Sequence, residues 1–369
     1  MELARFAGCF ADRCFDARMT RGRRHRRSDD IAGLSFLDPY LLDEGAINES
    51  KALVRLGSKT QVFTATDQAH VRTRMRHTLE VASLAARIAA IMGLNVNLCR
   101  AIALGHDLGH APFGHLGESM ISELSGQPFS HEVFSVVVAQ RIERRGHGLN
   151  LSFETLEGIF CHSSNAHAIT VNSDLPYEYA VVKLADKIAY IFADINDICR
   201  YKLFTDTTLE QNLEMQDMAN WFGPMQRARV LRCVEAMVAE SAELGQISFF
   251  ESETAHKFNA LRDWMYTNAY LPMVRPFHRA LITQAFGELA RIFREFDVNP
   301  ALPLALLTDT EVMGIAHCLL VGDMRVPPYV VNRLGATEIL HDLRYADTLV
   351  AANDISNPDL NPADFSVQR

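Results

Sequence analysis

No stretch of this 369-residue chain approaches the run of about 20 apolar residues that a membrane-spanning helix needs, and the N-terminus lacks the uninterrupted hydrophobic segment of a secretory leader. No membrane partner is therefore expected, and the cytoplasm is the expected location. A matrix-targeting leader is disfavoured by Glu2, Asp12 and Asp16. Seven cysteines, scattered singly with no Cys-x-x-Cys pair, argue against a thiolate zinc framework and for reduced, structural thiols. The chain also has no internal repeat, no Gly-rich phosphate loop and no Gly-x-Ser-x-Gly elbow, which leaves P-loop and nucleophile-elbow chemistry without a carrier. A formal charge of −9 excludes a wholly basic surface, although a local basic groove stays open.

What is present is helical periodicity, which predicts an all-α fold. Helices are expected over 37–63, 77–92, 98–108, 153–161, 176–201, 218–238, 254–266, 276–296 and 309–320. A chain of this length can bury one large helical core, or a core with an appended subdomain. Residues 1–29 are Arg-rich, with Arg21, Arg23, Arg24, Arg26 and Arg27 clustered before Asp29, and read as a flexible basic segment; Met19 is an alternative start. The Asp/Asn/Pro-rich tail 353–369 reads as frayed. Four segments follow, with boundaries at 1–29, 30–201, 202–352 and 353–369.

The chemistry concentrates between Arg72 and Glu118. The adjacent pair His106-Asp107 falls in the last turn of the helix expected over 98–108, stopped by Gly109 and Pro112. An imidazole and a carboxylate there can converge on one cation, and borderline to hard divalent metals suit that donor set. Two protein ligands do not hold such an ion alone. His77 stands at the start of the preceding helix, and the helix over 176–201 carries Asp186, Tyr190, Asp194 and Asp197 along one side of an otherwise apolar surface. An acidic stripe on a buried helix is costly unless something cationic faces it. His77, His106, Asp107 and Asp186 are accordingly the candidate metal ligands. His110, His115 and His131 are candidate proton donors, with Glu118 able to orient one of them; His115 and Glu118 are spaced i, i+3 and meet if that turn is helical. Ser130 is a candidate N-cap for the helix that His131 opens.

These residues, with Lys59-Thr60-Gln61-Val62-Phe63, Arg72-Thr73-Arg74, Pro112-Phe113-Gly114-His115, Leu156-Glu157-Gly158-Ile159 and Ala185-Asp186-Lys187-Ile188-Ala189-Tyr190, resemble the HD-domain metal-dependent phosphohydrolases, and within them the deoxyguanosine triphosphate triphosphohydrolase (dGTPase) branch. The resemblance covers roughly residues 21–201. It implies an HD-domain helical core there with a C-terminal helical extension. It further implies that Gln61 contacts a deoxyribose 3′-hydroxyl, that Arg74 contacts phosphate, that His131 is catalytic and that Tyr190 packs on the sugar and excludes a 2′-hydroxyl. Lys187 takes a further phosphate charge, and Asp194 receives the 3′-hydroxyl or pairs with a base. The implied reaction converts a deoxynucleoside triphosphate and water to deoxynucleoside and triphosphate. Mn²⁺ is the expected metal, with Mg²⁺ and Fe²⁺ as alternatives, and a homo-oligomer with a nucleotide or single-stranded DNA effector is expected. Two departures stand out. The segment His131-Glu132-Val133 leaves the partner of His131 undefined, and Cys318 to Met324 stands where the branch carries its late Tyr-Ile-Ala-Gly-Met-Thr-Asp motif. The competing readings are another HD phosphohydrolase, acting on nucleoside monophosphates or cyclic phosphodiesters, and a metal-stabilised nucleic-acid-binding module that uses the Arg-rich start.

Overall fold

The computed structural model describes residues 3–24, 37–61, 72–163, 174–201, 209–270, 276–294, 299–320 and 358–365. The α-helices among them are α1 (Pro39–Asn48), α2 (Lys51–Arg55), α3 (Arg74–Met92), α4 (Val96–Gly105), α5 (His115–Ser125), α6 (His131–Val137), α7 (Phe153–Cys161), α8 (Tyr177–Tyr201), α9 (Leu209–Asn220), α10 (Gln226–Leu244), α11 (Glu253–Met265), α12 (Pro276–Arg294), α13 (Ala301–Leu306) and α14 (Asp309–Leu320). Among the described residues there is no strand; an isolated antiparallel bridge joins Thr60 and Thr73. The all-α expectation holds for them. None of these helices is long and apolar enough to cross a membrane.

The chain divides into two compact units, one of Met1–Met19, Leu79–Ala103 and Cys161–Val274, the other of Thr20–Thr78, Leu104–Phe160 and Arg275–Arg369. This interleaved division differs from the four consecutive segments expected from composition. In the first unit α8 buries Val181, Leu184, Ile188, Phe192 and Ile195, and α10 packs against α8 and α11. Residues 3–19 do not hang free here. The Gly8 and Phe10 amides donate to the Ile91 and Met92 carbonyls at the end of α3, both at 2.8 Å, and the Phe15 and Asn95 amides share Oε1 of the buried Glu178, both at 2.9 Å. The helix expected over 218–238 is broken into α9 and α10. Gly223, at φ +144°, and Pro224 turn the chain, and Arg229 fixes the turn by donating to the Gly223 carbonyl and to Asn220 Oδ1.

Glu240 of α10 anchors the start of α11 by accepting from the amides of Phe250, Glu251 and Ser252 and from the Ser248 hydroxyl. Burial alone would raise its carboxyl, but these donors outweigh it and hold the group down to about 2. The sign follows by linkage: a carboxyl depressed in the folded state contributes stability above its unfolded value, and that contribution is lost as pH falls from about 4.5 towards 2. Urea unfolding of Glu240→Gln is expected to show lower stability at pH 7 and a shallower acid dependence than wild type between pH 5 and 3. Parallel curves for the two proteins would contradict this assignment.

In the second unit α12 packs on α13 and α14, and both α12 and α13 lie against α5. The helix expected over 37–63 is interrupted at Ser50, which caps α2 by accepting from the Leu53 amide. After a 3₁₀ turn over Leu56–Ser58 the chain becomes extended. The hexapeptide α13, Ala-Leu-Pro-Leu-Ala-Leu, is buried throughout and was not anticipated, because so short an apolar run has no resolvable period. The expectation of a flexible basic start also fails for residues 20–24. Arg23 is buried in an ion pair with Asp43, whose other oxygen accepts from the Ser152 amide at 3.0 Å and the Thr155 hydroxyl at 2.7 Å. Arg24 and Arg141 converge on Asp359, and the Phe365 ring packs edge-on against Phe153 at 5.1 Å, so 358–365 is not frayed. Arg26 and Arg27, residues 62–71, the segment around 321–324 and residues 164–173 lie outside the described residues.

Candidate active site

His106 and Asp107 stand one step beyond the helix that was expected to contain them. Helix α4 ends at Gly105, and the pair lies in the turn that follows, where the Leu108 amide reaches the Gly105 carbonyl and the His110 amide donates to the Asp107 carbonyl at 2.9 Å. Ser135 of α6 ends the helical pattern: its hydroxyl donates to the His106 carbonyl at 2.8 Å and accepts from the Gly109 amide at 2.9 Å. Gly109 is needed for closeness, since a Cβ there would lie 2.2 Å from the Ser135 amide nitrogen. Leaving the helix frees both side chains to turn to the same side as His77 in the first turn of α3.

His77, His106 and Asp107 are all buried, and one ligand atom from each lies within 4.8 Å of the others. The His77 and His106 rings meet edge-on at 5.5 Å, and His106 Nε2 stands 3.6 Å from Asp107 Oδ2. Two imidazoles and a carboxylate in a buried pocket fit a divalent metal of the borderline to hard type. Arg74, also buried, reaches Asp107 Oδ2 at 2.9 Å and the Gln61 carbonyl at 3.1 Å. Burial by itself would raise the Asp107 carboxyl, but His106, Arg74, His110 and His131 hold it well below the usual carboxylate range. Gln61 is buried, with its side-chain oxygen lacking a hydrogen-bond partner among the described residues.

A second cluster adjoins the first. Glu118, on α5, gathers three histidines: Oε2 meets His115 Nδ1 at 2.9 Å, and Oε1 meets His131 Nδ1 at 2.7 Å and lies 3.7 Å from His110 Nε2. His110 and His131 stack at 4.4 Å with planes 19° apart. The other ring nitrogen of His131, Nε2, is turned towards Asp107 Oδ1 at 4.0 Å. Helical spacing brings His115 to Glu118 as expected, and Ser130 caps α6 by accepting from the Val133 amide. The sequence left His131 without a defined partner; the structure supplies Glu118, thirteen residues away.

Charge is distributed unevenly over this cluster. Burial tends to neutralise His131, but Glu118 above all, then Glu132 and Asp107, outweigh it and raise the ring to about 9. For Glu118, burial opposes ionisation, yet His131 and His110 with the hydrogen bonds from His115 and His131 hold it well below its ordinary value. His110 is pushed well down by burial, Arg74 and His131. At neutral pH the cluster is thus a buried Glu118⁻–His131⁺ pair beside a neutral His110.

Asp186, Lys187, Tyr190 and Asp194 belong to the first unit, on α8. Asp186 and Asp194 are buried, and Lys187 Nζ lies 3.6 Å from Asp186 Oδ2. Asp194 Oδ2 accepts from the Tyr270 hydroxyl at 2.9 Å, and Tyr270 closes on Tyr190 at 6.3 Å between rings. Burial raises the Tyr190 hydroxyl above its usual value. Tyr270 escaped the sequence reading because its segment carries only a faint pattern. Lys59, quoted only within the resembling segment 59–63, and Asp309, the start of an expected helix, were given no role, and both prove to be buried polar residues.

Known proteins similar to this chain point to a family. The HD domain family model matches residues 74–191, the span that contains His77, His106, Asp107 and Asp186, so an HD domain is present there. The chain is 37% identical over 256 residues to a protein of Clostridium tetani, covering 68% of this chain and 70% of that one. It is 40% identical over 235 residues to a protein of Desulfatibacillum aliphaticivorans, covering 62% and 65%, and 42% identical over 198 residues to one of Caldanaerobacter subterraneus, covering 53% and 55%. Each of the three is named a deoxyguanosinetriphosphate triphosphohydrolase-like protein. The chain belongs to this deoxyguanosinetriphosphate triphosphohydrolase-like family.

Proposed function

We propose that this protein is a metal-dependent hydrolase of deoxynucleoside triphosphates that releases the deoxynucleoside and intact triphosphate. The observation that carries the reading is the juxtaposition of two clusters, a buried His77–His106–Asp107 trio and a Glu118-bound histidine set beside it. A trio of metal-type donors alone fits many proteins. A charged, carboxylate-oriented imidazole facing it is what phosphorus–oxygen cleavage requires.

His77, His106 and Asp107 would hold the ion, with Asp186 as fourth ligand on the strength of the family's sequence pattern; Mn²⁺ suits two imidazoles and two carboxylates. Bound there, the ion supplies a lowered water pKa and neutralisation of charge developing on the phosphate. The protein's own groups do the rest. Water adds to the α-phosphorus, the bond from that phosphorus to the 5′-oxygen breaks, and the leaving oxygen takes a proton. His131 is the donor best supported, because Glu118 grips Nδ1 and keeps the ring charged while Nε2 is turned to the Asp107 side. His110 and His115 are the other members of the set. Arg74, with its permanent charge and forked donors, is suited to phosphate oxygens, and Lys187 to another. Gln61 can both donate to and accept from a sugar hydroxyl, and its side-chain oxygen has that capacity free among the described residues. Tyr190 would exclude a 2′-hydroxyl, and Asp194 would take the 3′-hydroxyl. A homo-oligomer and a nucleotide or single-stranded DNA effector belong to the same proposal by resemblance.

A purely nucleic-acid-binding role is disfavoured by two observations. Arg23 and Arg24 are engaged by Asp43 and Asp359, and a binder has little use for a charged histidine–carboxylate cluster beside a metal site. The test is chromatography of products after each deoxynucleoside triphosphate is incubated with Mn²⁺, singly and as a mixture of all four. Deoxynucleoside plus triphosphate is expected, with none from Asp107→Ala. Inert triphosphates under every metal and mixture would overturn the reading and direct attention to nucleoside monophosphates and cyclic phosphodiesters.

A further inference from the structure

Two buried polar side chains that the mechanism does not use straddle the frame of the site. Asp309, the first residue of α14, accepts from the Thr60 amide at 3.0 Å and the Thr60 hydroxyl through Oδ2, and from the Phe113 amide at 3.0 Å through Oδ1. Lys59 Nζ donates to the His110 carbonyl and, at 2.9 Å, to the Ala305 carbonyl at the end of α13. The α13–α14 joint is thereby tied to two segments at once. One is the extended run Lys59–Gln61, whose amides and carbonyls also pair with Arg72 and Arg74. The other is the turn from His110 to Gly114 that leads into His115 and Glu118.

That turn needs holding. Phe113 sits at φ +61°, a conformation disfavoured for any residue but glycine, and Gly114 follows at φ +61°. The Phe113 ring is buried and lies 6.2 Å from Phe286 of α12, so the ring fixes one side of the residue and Asp309 fixes its amide. The turn also runs close to Arg74, since a Cβ on Gly114 would lie 3.4 Å from the guanidinium. Burying a lysine and an aspartate is expensive, and apolar packing would hold two segments together as firmly. Directional bonds add register, which packing surfaces that can slide do not.

We propose that Asp309 and Lys59 are positioning residues for the reaction, clamping the paired runs Lys59–Gln61 and Arg72–Arg74 and the His110–His115 turn in one register from the α13–α14 joint. The proposal rests on the triphosphohydrolase reading for its activity readout but not for its geometric one. Misplacement of reacting groups by about 1 Å costs about 10²-fold in rate. Asp309→Asn retains an acceptor for one amide and sets an N–H₂ group against the other donor, so kcat is expected to fall about 10–100-fold. Mn²⁺ affinity, measured by calorimetry with the metal alone, should stay within about threefold, because the His77–His106–Asp107 trio is not touched.

Thr60 supplies the conservative control: Thr60→Val loses the hydroxyl and should be slow, whereas Thr60→Ser keeps it and should match wild type. Amide hydrogen exchange read by NMR should show the Phe113 amide less protected in Asp309→Asn. Wild-type turnover together with wild-type exchange at Phe113 in that variant overturns the clamp. So does equal turnover of Thr60→Val and Thr60→Ser, which decides the matter if Asp309→Asn does not fold. If the wild type is inert towards every deoxynucleoside triphosphate, the substrate reading falls, and Phe113 exchange alone judges the clamp.

Discussion

Asp107→Asn is expected to lose divalent-metal binding and to lower turnover by about 10³-fold. A bound ion is worth several kcal/mol of stabilisation to charge developing at phosphorus, and each 1.36 kcal/mol is tenfold in rate. The carboxylate matters for a second reason. Asp107 is the anion around which Arg74, His106, His110 and His131 are assembled, with the Arg74 guanidinium 2.9 Å away in a buried pair. Removing one partner of such a pair leaves an uncompensated buried charge and costs about 3–5 kcal/mol. Asn is therefore the informative variant, since it keeps an oxygen for Arg74 and isolates the loss of charge, whereas Ala adds a cavity. Calorimetric titration with Mn²⁺, steady-state turnover and urea unfolding separate the three consequences. An Asn variant with wild-type turnover would remove Asp107 from the metal site and with it the proposed chemistry.

The candidate metal trio was legible because its signals are local. His77, His106 and Asp107 are recognisable from residue type and from the helices that flank them, and α7 and α14 carry periodic sequences that fold where the pattern puts them. Even so, the pair was expected inside a helix. The Ser135 hydroxyl that takes the His106 carbonyl comes from 29 residues further on, and no local propensity announces it. The same physics explains the other differences. His131 finds Glu118 where α5 and α6 approach, Arg23 leaves solvent to pair with the buried Asp43, and Lys59 and Asp309 act through carbonyls and amides that a sequence does not distinguish from any others. Where a helix was expected to run on through Ser50 or Gly223-Pro224, a cap and a proline decided otherwise. Interactions spaced by one helical turn were readable; those fixed by tertiary approach were not.

Glu118→Gln should lower turnover at pH 8 by about 10²–10⁴-fold, the usual worth of general acid–base catalysis, and should change the shape of the pH profile as well as its height. In the wild type burial favours the neutral form of His131, and the Glu118 carboxylate at 2.7 Å reverses that, keeping the ring charged up to about pH 9. Rate should then decline above about pH 9 as the donor loses its proton. Without the carboxylate Glu132 and Asp107 still oppose the burial effect, but the largest opposing charge is gone, and the alkaline limb moves to lower pH. The variant should accordingly recover part of its activity as pH is lowered from 8 towards 6, whereas His131→Asn should be slow throughout.

Stability supplies an independent reading of the same pair. A histidine raised in the folded state contributes stability in full below its unfolded value near 6.5, lost as pH rises through about 9. A carboxyl lowered in the folded state contributes above about 4.5, lost as pH falls. The pair therefore stabilises the fold most between about pH 4.5 and 6.5, and the difference in unfolding free energy between wild type and Glu118→Gln should be largest in that window. Because the two groups are coupled, the inflections belong to the pair and not to either residue. An alkaline limb that stays in place in Glu118→Gln would exclude His131 as the proton donor. The role would then pass to His110 or His115, and the buried ion pair would be left with the task of holding α5 against α6.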